Sequence, residues 1–526
     1  MRFQNQLHIF LMASALATSM LQPAVAQPVT QLPELPPTPN SQSERESDSS
    51  PSIEPSTESP SAPLLAPSET QNNPAQTLAL TQSDVVTLLL QNNRELRNAA
   101  LERIAQQQDL REAESIFTPD LTPTLSLGLS DRTADTTEIT REARLGGELL
   151  TPLGTTLEVT VDLIEDQEVD LSVTQPLLRG AGRAVNTSSV KIARLQETSN
   201  QLNLQQRLIT DITGGINTYH ALIRAQASLQ IQQLSFETQQ QQRRSIEALV
   251  EAGRRARFEL VEIDANLAAT ETNVLEAENA LQQAKSDLLN LLDLDDSLEI
   301  TIPEEALATL STVAEDSEVP SLEELVEIAY GNRPDYRQAQ LDLEIAEING
   351  VVATDNRRWN LDLRANASTR EFSEASTELV LTRLLEDEST ETALLRNRVS
   401  QQQLQNDLDR LESDIQLDVA DQLRDVESAR NRIEVTRLAR ELAEQRLENA
   451  RARARRGRTR DIFEVLELQN DLVEAQNSEV TAAIDFADAI ASLNQSLGTT
   501  LDVWSVQVEE SKLLMVPESL ESDEDE

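Results

Sequence analysis

The sequence predicts a mainly α-helical fold with β-strands, in which one structural unit occurs twice. Apolar residues recur at coiled-coil spacing over very long segments, and apolar and polar residues alternate in the segments between them. The order of these segments in the first half returns in the second. A helix from about 183 to 250 would be roughly 100 Å long at the α-helical rise of 1.5 Å per residue. That length suits a tube or a rod rather than a compact globule.

Composition excludes several classes of function. The 526 residues include 91 acidic and 44 basic side chains, which give a net charge of -47. Such a chain repels nucleic acid, so no polynucleotide partner is expected. It has no cysteine, and its two histidines are His8 and His220. We therefore expect no catalytic site, no metal and no cofactor, and we interpret His220 as a helix-packing or solvated residue.

The first 26 residues have the features of a secretory signal peptide. Arg2 supplies the positive start, residues 9–21 an apolar core, and the "AVA" at 24–26 a small-residue cleavage site. The alternative is a buried N-terminal helix. The apolar core is too short to cross a membrane as a helix. Export would place the protein in the periplasm, outside the cell, or in an outer membrane as a β-barrel.

Composition and repetition divide the rest of the chain. Residues 27–76, rich in Pro, Ser, Thr and Glu, and the acidic residues 509–526 are predicted to be a disordered linker and a disordered tail. We assign a first structural repeat to 77–302, a connector to 303–319 and a second repeat to 320–508. "NRELRNA" (93–99) matches "NRPDYRQA" (332–339) when one residue is inserted.

Each repeat contains a pair of long predicted helices. Apolar residues lie every seven positions in the first repeat, which predicts a coiled-coil seam. The positions are Leu195, Leu202, Ile209, Ile216 and Ile223, followed after a turn by Leu260, Leu267, Val274, Leu281 and Leu288. In the second repeat the apolar positions from Leu404 to Val426 average about 3.7 residues per step, which favours nearly straight packing.

The segments between the helices are predicted strands. Residues 121–130, 155–163, 169–178, 360–368 and 377–385 alternate apolar with polar or small residues. They could form soluble hairpins with one face on a core, or barrel strands with lipid outside and water inside. The predicted export signal favours the barrel.

A strand-to-helix junction carries the most specific motif, "LSVTQPLLRGAGRAVNTSSVKIA" (171–193). Gln175, Pro176, Gly180 and Gly182 mark the junction, because proline ends a strand ladder and glycine permits a bend. With "NRPDY" (332–336) and the duplicated order of segments, this motif resembles the TolC-type outer-membrane efflux protein family over about 77–508. The second half lacks the junction proline, and 141–164 is a candidate extra hairpin.

The resemblance implies a homotrimer. Each chain would give four strands to a shared twelve-stranded transmembrane β-barrel, continuous with a hollow α-helical coiled-coil barrel that extends into the periplasm. It implies the exit duct of a tripartite efflux pump or a type I secretion system. Its partners would be outer-membrane lipid, a periplasmic adaptor (membrane fusion) protein and an inner-membrane transporter. The alternative is a secreted or periplasmic coiled-coil spacer protein.

Two similar hexapeptides, "FELVEI" (258–263) and "FEVLEL" (463–468), follow the predicted turns between the long helices. The resemblance implies an acidic pair three residues apart at a narrow entrance, and it maps this pair onto Glu464 and Glu467. Glu259 and Glu262 are weaker repeat equivalents. Rings of carboxylates favour cations. The alternative is a solvated helix face whose first turn carries acids that suit the macrodipole.

Arginine-rich segments precede both hexapeptides. They contain Gly253, Arg254 and Arg255 in the first repeat, and Arg455, Arg456, Gly457 and Arg458 in the second. Cations at a helix C-terminus explain part of this pattern. We hypothesise that the remainder docks the adaptor or the transporter through arginine contacts.

Overall fold

The computed structural model describes residues 77–132, 136–164, 168–295, 298–303, 305–307, 309–310, 320–368, 375–383, 388–454 and 461–506. The predicted signal peptide, linker, acidic tail and most of the connector lie outside these residues.

The first repeat begins with a short strand and two helices, β1 (Thr77–Ala79), α1 (Gln82–Asn92) and α2 (Arg94–Ser115). Four strands follow, β2 (Asp120–Arg132), β3 (Thr136–Leu150), β4 (Thr156–Asp162) and β5 (Val169–Pro176). After the turn α3 (Arg183–Asn186) come the long helices α4 (Ser188–Glu251) and α5 (Arg257–Leu291). The repeat ends in β6 (Glu299–Thr301), which pairs in parallel with β1.

The second repeat has the same order with fewer strands. It comprises α6 (Leu322–Asn332), α7 (Pro334–Asp355), β7 (Asn360–Ser368) and β8 (Ser376–Thr382). The long helices α8 (Glu388–Ala454) and α9 (Asp461–Leu497) follow, and the chain reaches the short α10 (Thr500–Val503).

The short helices show the duplication most clearly. α1 and α6 have 11 residues each, and both begin with a capping box, formed by Thr81 with Asp84 and by Ser321 with Glu324. α2 and α7 have 22 residues each. The breaks between them fall at Asn93 (φ -60°, ψ 126°) and Arg333 (φ -67°, ψ 121°). Asn93 therefore corresponds to Arg333, and the two motifs align without the inserted residue that sequence comparison required.

The long helices pack as two hairpins, α4 with α5 and α8 with α9, and α9 also packs against α4. At 64 residues, α4 is roughly 96 Å long. Ile209, Ile216 and Ile223 of the predicted seam are buried, and so are Ile415, Val419 and Val426 of the second repeat. One apolar core lies where α1 packs against α4 near its middle and against the end of α5, and a second lies where α6 packs against the middle of α8 and the last turns of α9.

In the part of the chain that the structure describes, one antiparallel sheet holds six strands in the order β2-β3-β4-β5-β7-β8. This corrects the four strands per chain that the resemblance implied. The additional strands arise because β3 and β4 close the candidate extra hairpin. Its turn is stabilised by a hydrogen bond from Gly154 N to Thr151 O (2.9 Å), and Gly154 has φ 90°, which favours glycine.

The sheet has one apolar and one polar face. The strand registers pair odd-numbered residues with odd-numbered ones throughout. The described odd positions are mainly apolar: Leu121, Leu125, Leu127, Ala143, Leu145, Leu149, Leu157, Val159, Val161, Val169, Leu171, Val173, Leu361, Leu363, Ala365, Ala367, Leu379 and Leu381. The even positions are mainly Ser, Thr, Asp, Glu and Arg. The predicted alternation thus extends over all six strands, and Leu125 remains 82% exposed.

Among the helices that the structure describes, none has both the length and the apolar character needed to cross a membrane.

Candidate functional site at the paired helical tips

The turn between α4 and α5 forms the first tip of the molecule. Gly253 has φ 68°, and its N–H donates to Val250 O (3.0 Å), while Arg254 N–H donates to Leu249 O (2.9 Å). These bonds satisfy carbonyls that the end of α4 would leave open, and a glycine in this position has no Cβ to strain. Gly253 therefore closes the helix, which is a local structural role.

The two hexapeptides lie against each other. The rings of Phe258 and Phe463 stack with centroids 6.5 Å apart and planes inclined by 8°. Beneath them, Ile246, Ile263 and Leu466 form a small buried core that joins the two hairpins. The sequence predicted that both phrases follow the turns, but it gave no sign that they are in contact.

Glu259 is an interior residue of the first tip. Its side chain is fully buried, and Arg255 Nη1 donates to Glu259 Oε2 over 3.0 Å. Its other oxygen, Oε1, is buried without a hydrogen-bond partner among the described residues. The Arg255 side chain is only 11% exposed. Within one chain, therefore, this predicted gate equivalent and this predicted docking arginine bind each other instead of facing solvent.

The second tip comprises the end of α8 and the start of α9, and its glutamates are more exposed than Glu259. Glu464 forms an ion pair with Arg453 near the end of α8, and both side chains are about half exposed. Glu467, one turn later, is exposed, as is its repeat equivalent Glu262. The four predicted carboxylates thus divide into one buried, one paired at the surface and two exposed. Arg254 is exposed, whereas Arg455, Arg456, Gly457 and Arg458 lie outside the described residues.

At the opposite end of the long helices, the predicted junction residues make a tight connection from strand to helix. Pro176 is the last residue of β5 and pairs with Asp362. The Gln175 side chain accepts a hydrogen bond from Thr155 and donates to Pro176 O (2.8 Å). The proline therefore lies at the end of the ladder, where its missing N–H costs least.

Gly180 and Gly182 allow the chain to turn sharply between β5 and α3. Their φ angles are 77° and 95°, which residues with a Cβ rarely adopt. Gly180 N–H donates to Oδ2 of the buried Asp355 at the end of α7 (2.7 Å). Gly182 N–H donates to Leu153 O in the β3–β4 turn (3.1 Å). Asp355 was not identified from the sequence, because a single aspartate in an acidic chain carries no signal.

The "NRPDY" motif connects three helices. Arg333 donates to both oxygens of Asp335 (3.0 and 2.7 Å), to Asp418 Oδ2 on α8 (2.7 Å) and to Ser496 O on α9 (3.1 Å). Burial alone would raise the pKa of Asp335, but the hydrogen bond and the charge of Arg333 outweigh it and lower that pKa. In the first repeat the corresponding Asn93 donates through its side-chain amide to Leu291 O (3.0 Å).

His220 lies between helices at the middle of the molecule. It is 1% exposed, and its Nδ1 lies 2.6 Å from Asp488 Oδ1 on α9. Beside it, Arg224 and Arg432 both contact Asp485, over 3.1 and 3.0 Å. These contacts connect the two hairpins. Among the described residues, no group of three or more His, Cys, Asp or Glu side chains is arranged to hold a metal ion.

Comparison with known proteins gives one family match. The model of the outer membrane efflux protein family matches residues 85–293. Comparison with curated protein sequences gives no significant match.

Several solved structures share the fold at low sequence identity. The outer membrane protein VceC from Vibrio cholerae is 17% identical with a TM-score of 0.60, over 79% of this chain and 96% of that one. The open state of the Neisseria gonorrhoeae MtrE outer membrane channel is 15% identical with a TM-score of 0.61, over 80% and 89%. The Campylobacter jejuni CmeC outer membrane channel is 14% identical with a TM-score of 0.58, over 89% and 99%. The likeness to these structures is one of fold.

Proposed function

We propose that the chain, whose residues 85–293 match the model of the outer membrane efflux protein family, is the exit duct of a tripartite efflux pump or a type I secretion system. The duct is a passive conduit. Its sheet lies in the outer membrane, and its helical hairpins extend through the periplasm towards an adaptor protein and an inner-membrane transporter. An energy source in the inner membrane drives transport, and the duct itself catalyses no reaction.

The observation that carries this proposal is the apolar face that runs over all six strands of the sheet. Leu121, Leu125 and Leu127 are more than 70% exposed, and Leu379 and Leu381 more than 55%. A secreted or periplasmic spacer surrounded by water would not expose so large an apolar surface, whereas a sheet that faces lipid requires one. The polar residues of the opposite face would then line a water-filled lumen.

The strand directions support closure of the sheet by further copies of the chain. Neighbouring strands alternate in direction from β2 to β8, and their number is even. β8 of one copy would therefore meet β2 of the next in the antiparallel sense that outer-membrane barrels use. Three copies would give an eighteen-stranded barrel, and closure would leave no open edge.

We propose that the duct is gated at the paired tips. Glu467 is exposed and Glu464 is held only by a surface ion pair, so both could face a central axis shared by three chains. Their carboxylates would form rings that attract cations and repel anions. Arg254 and the arginines at 455, 456 and 458 remain the candidates for contact with an adaptor.

The mass of the mature protein extracted from outer membranes, corrected for bound detergent, tests this function. We expect a particle of three chains that requires detergent to stay in solution. A water-soluble monomer or dimer would contradict both the trimer and the membrane location, and would favour the spacer. Conductance in planar bilayers then tests whether the trimer contains a continuous pore.

A further inference from the structure

One Arg–Trp–Arg row crosses the end of the sheet that is nearer to the helices. The backbone bonds from Leu177 N to Leu361 O (2.7 Å) and from Arg179 N to Trp359 O (3.1 Å) continue the β5–β7 register beyond the ladder. On the other side, Asn360 pairs with Thr382, so Trp359 stands opposite Arg383. Arg179, Trp359 and Arg383 are thus lateral neighbours on three adjacent strand ends.

The row lies at the border of the apolar face. All three residues have odd numbers, and the register continues the odd-numbered face formed by Leu361, Leu363, Leu379 and Leu381. The guanidinium carbon of Arg383 lies 5.0 Å from the centroid of the Trp359 ring, which places both side chains on the same side. Trp359 is 43% exposed. An exposed leucine surface therefore ends in an exposed tryptophan and two arginines.

The border of the apolar face is positively charged, whereas the whole chain is strongly negative. Residues 171–196 contain Arg179, Arg183, Lys191 and Arg194 and no acidic residue, in a chain with 91 acids among 526 residues. Among the described residues, neither Arg179 nor Arg383 has a carboxylate partner. Three arginines close by are neutralised, Arg194 by Glu114 (2.9 Å), Arg357 by Glu391 (3.0 Å) and Arg358 by Asp355 (3.0 Å). Positive charge is therefore concentrated on the row and on Arg183 and Lys191 in the segment that follows β5.

We propose that Arg179, Trp359 and Arg383 bind the phosphate headgroups of phospholipids in the leaflet nearer to the helices. This inference rests on the proposed membrane location of the sheet. Tryptophan partitions to the boundary between headgroups and acyl chains. Arginine binds phosphate through two parallel hydrogen bonds, and basic residues beside a membrane attract anionic lipids. The row fixes the depth of the sheet and gives the protein a preference for anionic phospholipid.

The test uses the full mature chain reconstituted into phosphatidylcholine vesicles with and without phosphatidylglycerol. Native mass spectrometry measures how much phosphatidylglycerol each protein retains, for the wild type and for Arg179→Gln with Arg383→Gln. We expect the double variant to retain phosphatidylglycerol about tenfold more weakly. Arg410→Gln with Arg424→Gln on α8 is the control, because these arginines are 71% exposed and lie within the long helix. The control should retain the lipid like the wild type.

A second measurement places the tryptophan. In a Trp504→Phe background, bromine atoms near the headgroup end of the acyl chains should quench Trp359 fluorescence more strongly than bromine atoms near the chain ends. Unchanged lipid retention in the double variant, or stronger quenching by the deep bromines, would overturn the proposal for the row. Failure of the wild type to float with vesicles at all would instead overturn the proposed function.

Discussion

At the scale of single residues, equivalent glutamates of the two similar hexapeptides lie in different environments. Glu259 and Glu464 occupy equivalent positions in the two hexapeptides, yet Glu259 is buried against Arg255 and Glu464 is paired with Arg453 at the surface. Separating the buried pair leaves its charges buried and uncompensated, which is costly, whereas the charges of the surface pair are solvated by water when they separate. The two tips therefore differ in mobility and in accessible charge, although their sequences are similar.

This difference predicts unequal effects of the same substitution. Glu259→Gln should destabilise the first tip by about 3 kcal/mol, because it leaves the charge of Arg255 buried and uncompensated. Glu464→Gln should cost less than about 1 kcal/mol, because its pair is exposed to solvent. Hydrogen exchange of the amides between 246 and 263, and of those between 461 and 470, measures the free energy of local opening. Equal effects in the two tips would contradict the assignment.

The gate hypothesis predicts a change in ion selectivity. Glu464→Gln with Glu467→Gln should reduce cation selectivity and weaken block by multivalent cations in planar bilayers, because the negative rings would be lost. Glu441→Gln with Glu444→Gln is the matched control, since these residues are also three apart and exposed on α8. If both variants behave like the wild type, the two tip glutamates do not line the constriction.

At the scale of elements, the break between α6 and α7 is stabilised by a partly buried charge network. Arg333 connects its own helix to α8 through Asp418 and to α9 through Ser496 O. In the first repeat, the uncharged amide of Asn93 bonds the equivalent end of α5. The two repeats thus have the same backbone geometry at this break, but only the second makes the contact with a charged side chain.

The network predicts a dependence of stability on pH. The folded pKa of Asp335 lies below its usual value of 3.8, so its contribution is complete at neutral pH and is lost as the pH falls below about 3.8. The difference in the free energy of unfolding between wild type and Asp335→Asn should therefore shrink in acid. Chemical denaturation between pH 7 and pH 3 measures it. A difference that stays constant over this range would exclude the ionised pair as its source.

Prediction from sequence succeeded where periodicity was strong. The seam at Ile209, Ile216 and Ile223 and the alternating strands need only a local pattern, and the structure contains both. The stack of Phe258 on Phe463 and the bond from Gly180 to Asp355 join residues more than 170 positions apart. No local pattern indicates such contacts. The strand count was wrong because the resemblance supplied it, although the hairpin at 141–164 was recognised as a candidate.

At the scale of the whole molecule, the additional hairpin predicts a wider barrel than the resemblance implied. Deletion of residues 133–168 would join the end of β2 to the start of β5 and leave four strands that still alternate in direction. Because barrel diameter grows with strand number, the variant should exclude smaller polyethylene glycols than the wild type when these are added on the sheet side of a planar bilayer. Equal exclusion would mean that β3 and β4 do not contribute to the wall.

The two outer strands of the sheet have a consequence for biogenesis. Among the described residues of a single chain, the 13 residues of β2 and the 7 residues of β8 each present one row of backbone donors and acceptors without a strand partner. Such edges can pair with any extended polypeptide, including a segment of an unrelated protein. A newly exported chain therefore avoids incorrect pairing best when it associates with other copies of itself as the sheet forms. Folding and association would then be a single event, and stability would depend on how many copies are present.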